Sequence, residues 1–321
     1  MGSESMKKHP GLLRGSGARF VLPRVVYEIA PGFVVGARLD GRSHQVRRLA
    51  VREIAADSVE PFAHRSNVAN AEDLRAALES VAQTVGNGNG SCGLLIPDGA
   101  VRVAVLDFET LPDNRKDTEA LVRWRMRDNL PQEPEAARLS LQVLSRESNR
   151  VELLVAAVRT AVLADYEQVM DIGNGGLTLV LPATMALLPL VPEEAGGGGL
   201  LLHLCGGWLT AVVLENGRVR MWRSLGLQAD SSHGFAKSAT VEAARVCESA
   251  RDHLQIRTEK IWLAERPLSI EGLDEEISRS LEQEVVRLSP QSAMGRALSE
   301  SEHPAFENFA AALAGLLSNV N

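Results

Sequence analysis

Cysteine is scarce in this chain. The three present, Cys92, Cys205 and Cys247, are odd in number and widely spaced, so they do not read as a disulfide framework. Each sits in an apolar stretch, where a free thiol behaves as a small hydrophobe. Neither a CxxC pair nor a closely spaced histidine pair occurs, so no metal site is expected. Lysine is scarcer still relative to arginine: five lysines (Lys7, Lys8, Lys116, Lys237, Lys260) among 34 basic residues, a bias of composition rather than a polyanion site. With a formal net charge of −7 the chain lacks the basic footprint of a general nucleic-acid binder. The N-terminus has no apolar core of a signal peptide. The longest apolar stretch, Leu177–Val191, is broken by Pro182 and Pro189 and is shorter than the roughly 18–20 residues a spanning helix needs. These absences predict a cytoplasmic globular protein.

What is present fits two lobes. At 321 residues, 45% apolar and 23% charged, the chain is long enough for two packed cores. Residues 1–23 read as a flexible leader, part of it a cloning remnant. Val25–Ile29, Phe33–Leu39 and His44–Val51 read as an antiparallel meander turning at Pro31-Gly32 and Asp40-Gly41. Asn70 caps a predicted helix over 71–85, whose Leu74, Leu78 and Val81 share a face. Then come a strand at Cys92–Ile96, a strand at Val101–Leu106, and a helix at Thr118–Leu130 capped by Asp117 with Leu121, Trp124 and Met126 inward. Paired strands at Arg138–Leu144 and Val151–Val158, a helix at Ala161–Met170, a strand at Leu177–Leu181 and a helix at Pro182–Leu190 complete the first block. Gly196–Gly199 is expected at a hinge, since glycine costs most entropy to fix. Strands Leu200–Cys205, Trp208–Leu214 and Arg218–Leu225 follow, the last two joined by Glu215-Asn216-Gly217, where Asn-Gly tolerates positive φ. Thr240–Leu254 and Leu273–Glu284 read as helices around a short strand Lys260–Ala264, and Pro304–Ser318 as a terminal helix.

The segment LLIPDGAVRVAVLDFETLP from Leu94, continued by TEALVRWRMRDNLPQEPEAARLSLQVL to Leu144, resembles PilM-type type IV pilus assembly proteins. So do the stretch from Val151 to Val191 and the closing FENFAAALAGLL; the likeness spans about residues 25–318. It implies an α/β, two-lobed actin-like (ribonuclease H-like, duplicated) fold. Lobe 1 would cover 25–192 with an inserted αβ subdomain at about 99–173. A shortened lobe 2 would cover 196–303, and residues 304–321 would form a helix returning to lobe 1. In that family the first phosphate hairpin reads Asp-x-Gly-Ser-x-x-x-Lys. Here Glu28, Ala30 and Val35 hold the positions of the Asp, Gly and Lys, and Pro31 has no N–H for a phosphate. In actin-like ATPases the second hairpin carries Asp-x-Gly; here it reads His203, Leu204 and Cys205, with Thr210 retained. Only 34 residues (226–259) stand where the family places a subdomain walling the nucleotide cleft, and Trp262–Arg266 replaces the Gly-Gly turn that admits adenosine.

The resemblance therefore implies a nucleotide-free, bacterial pseudo-ATPase scaffold without cofactor or metal. Its partner would be the cytoplasmic tail of a PilN-like bitopic inner-membrane protein, lying extended in a groove between the lobe 1 core and the insert, with Val101, Val103, Val105 and Trp124 as candidate walls. It would be cytoplasmic and meet the membrane only through that partner, without nucleic acid. Two alternatives stay open. One is an active actin-like or sugar-kinase-type ATPase, with Glu28 holding Mg through water and Thr210 meeting a phosphate of ATP. The other is the cytoplasmic domain of a GspL-like type II secretion protein. Asp171–Gly176, which imitates a phosphate loop, follows a helix and reads as its C-terminal turn. His203 and Cys205, alternating with Leu202 and Leu204 in an apolar strand, read as packing residues rather than ligands, and no nucleophile geometry can be argued for His233 with the remaining residues.

Overall fold

The computed structural model describes residues 23–39, 46–86, 91–128, 134–172, 176–192, 197–228, 231–267, 269–289 and 310–318. The first sheet contains β1 (Val25–Ala30), β2 (Phe33–Leu39), β3 (Val46–Glu53), β4 (Ser91–Ile96) and β8 (Gly176–Pro182), in the order β3-β2-β1-β4-β8. β1 to β3 form the antiparallel meander; β4 and β8 run parallel to β1. The β1–β2 turn is only Pro31-Gly32, with Gly32 at φ +87°, the left-handed region glycine tolerates. Helix α1 (Ala71–Val85) begins where the Asn70 side chain accepts from the Asp73 N–H and stops at Gly86. Its Leu74, Leu78 and Val81 bury against Val25, Tyr27 and Ile29.

Between β4 and β8 lies a three-stranded antiparallel sheet of β5 (Arg102–Phe108), β6 (Ala137–Glu147) and β7 (Arg150–Arg159), ordered β5-β7-β6. Helix α2 (Arg115–Met126) covers one face. Its cap is Asn114, not Asp117: Asn114 accepts from the Asp117 N–H and the helix starts three residues early. Trp124 corrects the sequence reading as well. Val122 and Met126, one turn apart, face the sheet, so position 124 points away and is 58% exposed. Helices α3 (Thr160–Val169) and α4 (Ala183–Leu187) frame β8.

The second sheet repeats the plan: β9 (Gly198–Cys205), β10 (Trp208–Glu215), β11 (Arg218–Gly226), β12 (Thr258–Arg266) and β13 (Glu284–Arg287), ordered β11-β10-β9-β12-β13. Again three antiparallel strands precede two parallel ones. The chain is thus a duplicated, two-lobed α/β protein. Between β11 and β12 the described residues hold only helix α5 (Ser232–Leu254), capped by Ser231 and starting eight residues before Thr240. Helix α6 (Leu273–Leu281) stops short of Glu284 because Glu282 turns left-handed (φ 54°), freeing β13, which the sequence reading missed. Gly198 and Gly199 are strand residues rather than a hinge. A Cβ at Gly199 would lie 2.1 Å from the Trp262 ring, so glycine makes room for the indole on the next strand. At the C-terminus, α7 (Ala311–Ser318) packs on α4. Residues 304–309 of the expected terminal helix, and Gly173–Gly175 of the loop after α3, lie outside the described residues.

Each lobe has an outer core against its own helices, and α2 has a small one with β7. A fourth core crosses between the lobes. Val26, Phe33, Val35 and Leu187 on one side pack with Leu201, Val212, Trp222 and Trp262 on the other. At about 1.5–3 kcal/mol per large buried side chain, this shared core is a strong reason for the lobes to stay together.

Candidate functional site

Strand alternation brings the chemistry to one place. On β1, Val25, Tyr27 and Ile29 face α1, so Val26, Glu28 and Ala30 face the opposite lobe. On β9, Leu200, Leu202 and Leu204 face α5, leaving Leu201, His203 and Cys205 to face lobe 1. Glu28 and His203 occupy equivalent places in the duplicated unit, each three residues before its hairpin turn. On β12 the same parity aims Trp262, Ala264 and Arg266 at the interface.

These residues join into one chain of polar contacts. Arg266 Nη1 lies 2.6 Å from Glu28 Oε1, both side chains almost wholly buried. Arg266 Nε and Nη2 reach His203 Nε2 at 3.1 and 3.0 Å. Guanidinium only donates, so Nε2 is the acceptor and the imidazole proton sits on Nδ1. That N–H points at Thr184 Oγ1, 2.6 Å away, with Asp98 Oδ2 at 3.2 Å. Thr184 in turn donates its hydroxyl to Asp98 Oδ2 at 2.6 Å and its backbone N–H to Asp98 Oδ1 at 3.0 Å. The direction of every hydrogen bond follows from the one cation. Burial pushes the Glu28 carboxyl above the ordinary carboxylate range, against the pull of Arg266. Arg266 stays charged: burial opposes this, and Glu28, Cys205 and Asp98 together more than offset it, leaving the guanidinium above its ordinary value. Burial, reinforced by Arg266, pushes His203 below its usual value, so the ring is neutral. Burial raises the Cys205 thiol to about 12, too high for a nucleophile.

A buried neutral histidine makes stability pH-dependent. Its folded-state pKa lies below the unfolded value of about 6.5, so the unfolded chain binds the extra proton first and stability falls as pH drops through that value. Glu28 has the opposite sign, since its raised folded-state pKa favours the acid side, so the histidine contribution is read as a difference. Between pH 7.5 and 5.5 the wild type should lose more than His203→Gln, by up to about 1.4 kcal/mol. Equal losses in urea titrations of the two would show that His203 is not held neutral.

Three further contacts close this region. The two hairpin turns touch: a Cβ on Gly206 would fall 2.4 Å from the Pro31 ring. The Trp208 indole of lobe 2 covers Gly99 of lobe 1, where a Cβ would lie 2.7 Å away, and meets Phe62 edge-on at 6.0 Å. Arg220 of β11 holds Glu152 of β7 at 2.8 and 2.9 Å. The space left beside Glu28, Ala30, Asp98, His203 and Cys205 is about 10 Å³, against several hundred for an ordinary small-molecule site.

All six positions read as altered phosphate-site residues sit at this interface. Val35 is Glu28's ladder partner and is buried in the shared core. Thr210 is His203's partner, its hydroxyl 2.9 Å from Ser224. His233 is exposed on the first turn of α5. Among the described residues no three His, Cys, Asp or Glu side chains are grouped to hold a metal. Asp98, Thr184 and Arg266 were missed. Arg266 carried a signal, a cation at the end of the apolar run Ile261–Ala264 with the parity of Trp262 and Ala264; Asp98 and Thr184 carried none.

The four groove residues are dispersed. Val103 and Val105 line a cleft of about 470 Å³ between β5 and β11, with Arg220 and Trp222 opposite. Trp124 lies on the outer face of α2. Val101 borders that cleft and also a separate apolar groove of about 140 Å³. The second groove runs between lobe 1 and the insert, walled by Val180 and Leu181 of β8 and by Leu139, Ala156 and Val158 of β6 and β7. Both β6 and β8 are sheet edges.

No protein-family model and no curated protein matches the sequence. Solved structures do match. The PilM-PilN type IV pilus biogenesis complex aligns with a TM-score of 0.77 at 18% identity, covering 94% of this chain and 99% of that one. A Bacteroides thetaiotaomicron protein with an actin-like ATPase fold and unknown function aligns at 0.55 and 12%, covering 91% and 94%. The cytoplasmic domain of EpsL, an inner membrane component of the Vibrio cholerae type II secretion system, aligns at 0.49 and 13%, covering 86% and 96%. The chain has an actin-like fold, and the resemblance to PilM read from the sequence holds as a likeness of fold. Among the described residues no helix is long and apolar enough to cross a membrane.

Proposed function

We propose that this chain is a non-catalytic, actin-like scaffold of a bacterial type IV pilus or related secretion platform, held at the inner membrane by the cytoplasmic tail of a PilN-like bitopic protein. One observation carries the non-catalytic part: the place between the two hairpins is filled by Arg266, His203 and Glu28, with about 10 Å³ to spare. Phosphoryl transfer needs backbone donors, Mg²⁺ and a cation arranged around phosphates. Here Pro31 against Gly206 leaves those phosphates no room. The partner is supported by the fold shared with the PilM-PilN complex. The groove between β8 and β6 offers two strand edges and an apolar floor, which suit an extended peptide.

Calorimetry tests both halves. Millimolar Mg-ATP should give no heat of binding and no thermal stabilisation; a clear stabilisation, or a heat of binding that vanishes in Thr210→Ala, would overturn the nucleotide-free reading. A synthetic PilN-like tail should bind with micromolar affinity or tighter, roughly −8 kcal/mol. Leu139→Asp should weaken it at least tenfold, about 1.4 kcal/mol. Loss at Val103→Asp with Leu139→Asp unaffected would move the tail to the cleft between β5 and β11.

A further inference from the structure

The outer face of α2 has no role in either groove, yet it carries an unusual surface. Trp124 is 58% exposed, while Trp222 and Trp262 are buried and Trp208 is half-buried beneath the interface. In a chain of net charge −7, the segment Arg115–Arg127 sets five cations (Arg115, Lys116, Arg123, Arg125, Arg127) against two carboxylates, Asp117 and Glu119. Glu119 is already neutralised by Arg115 at 2.7 Å. Lys116, Arg123, Trp124 and Arg127 then form one stripe along the helix, bordering with Glu119 and Glu135 an open surface hollow of about 450 Å³; Arg127 also pairs with Asp128 at 3.6 Å, both side chains exposed to solvent, where such a pair holds weakly. The Arg127 guanidinium sits 5.5 Å from the indole centroid.

An exposed indole ringed by cations matches an anionic lipid surface in two ways at once. Indole partitions to the headgroup level, with an apolar body and a polar N–H, and the cations meet the phosphates. We propose that α2 docks on an anionic membrane, Trp124 seated among the headgroups. Val151, Leu153 and Val155 of β7 face α2, whereas Ala156 and Val158 face the apolar groove, so bilayer and peptide would occupy opposite sides of the insert. This contact is independent of the proposed tail.

The test uses the full chain with vesicles of phosphatidylglycerol and phosphatidylcholine, and with phosphatidylcholine alone, at low ionic strength. Co-sedimentation and a blue shift of tryptophan emission are expected with the anionic vesicles only, reversed by added salt. Trp124→Ala and Arg125→Glu, both at exposed positions, should weaken binding at least tenfold with unchanged circular dichroism. Absence of binding, equal binding to both vesicle types, or binding indifferent to Trp124→Ala would overturn the proposal. So would a Trp124-dependent self-association with no vesicle binding, which would make this face a protein interface.

Discussion

Replacing Arg266 by methionine is expected to lower stability by about 3–5 kcal/mol, a large fraction of what holds a protein of this kind together. The loss is not the worth of the ion pair. It is the cost of leaving the Glu28 carboxyl buried without a counter-charge, and His203 Nε2 without a donor, at a site with only about 10 Å³ of free space. Glu28→Leu alone should destabilise for the mirrored reason, by isolating a buried guanidinium. The Glu28→Leu, Arg266→Met double variant should recover a large part of the summed loss, because apolar replacement of a whole buried pair is often near neutral. Recovery will be incomplete, since His203 still lacks its donor. Urea unfolding of the four proteins gives the coupling energy. A double variant as unstable as the sum of the singles would mean that the contact joins two independent groups rather than one interlobe unit.

How far the sequence leads depends on which force sets each feature. Local forces were legible. The Asn70 cap and the Leu74–Leu78–Val81 stripe gave α1 to the residue. Asn216-Gly217 gave the β10–β11 turn, with both residues at positive φ. The duplicated meander gave the two lobes. What depends on a distant partner was not legible. Gly199 reads as flexible until Trp262 lies over it. Trp124 reads as core until Val122 and Met126 fix the phase of α2. His203 reads as packing in an apolar strand, and it is buried as expected. Its polarity becomes intelligible only once Arg266, 63 residues on, and Asp98, 105 residues back, are placed against it. The departure of Glu28 and His203 from a phosphate-site pattern could be read as an expectation from the sequence alone; that both contact Arg266 where the lobes meet could not.

Gly315→Ala is the second substitution expected to act strongly, against its intrinsic tendency. Within a helix, alanine is about 1 kcal/mol more favourable than glycine. At this position the added Cβ would lie 2.1 Å from the Ala186 carbonyl oxygen and 3.1 Å from the Leu187 Cα. These are backbone atoms of α4, unable to yield as a flexible side-chain end would. To relieve the overlap α7 must move off α4, and with it Ala312, Leu313 and Leu316, all wholly buried in the core shared by the lobes. Exposure of the two leucines costs about 3–5 kcal/mol, which outweighs the propensity gain. The net expectation is a loss of about 2–4 kcal/mol, accompanied by early proteolytic clipping next to residues 311–318 while the sheets remain resistant. Gly315→Val should lose more, since its larger side chain deepens the clash and valine gives back some of the helix propensity. An unchanged or raised unfolding midpoint in Gly315→Ala would show that close approach to α4 is not what holds the terminal helix.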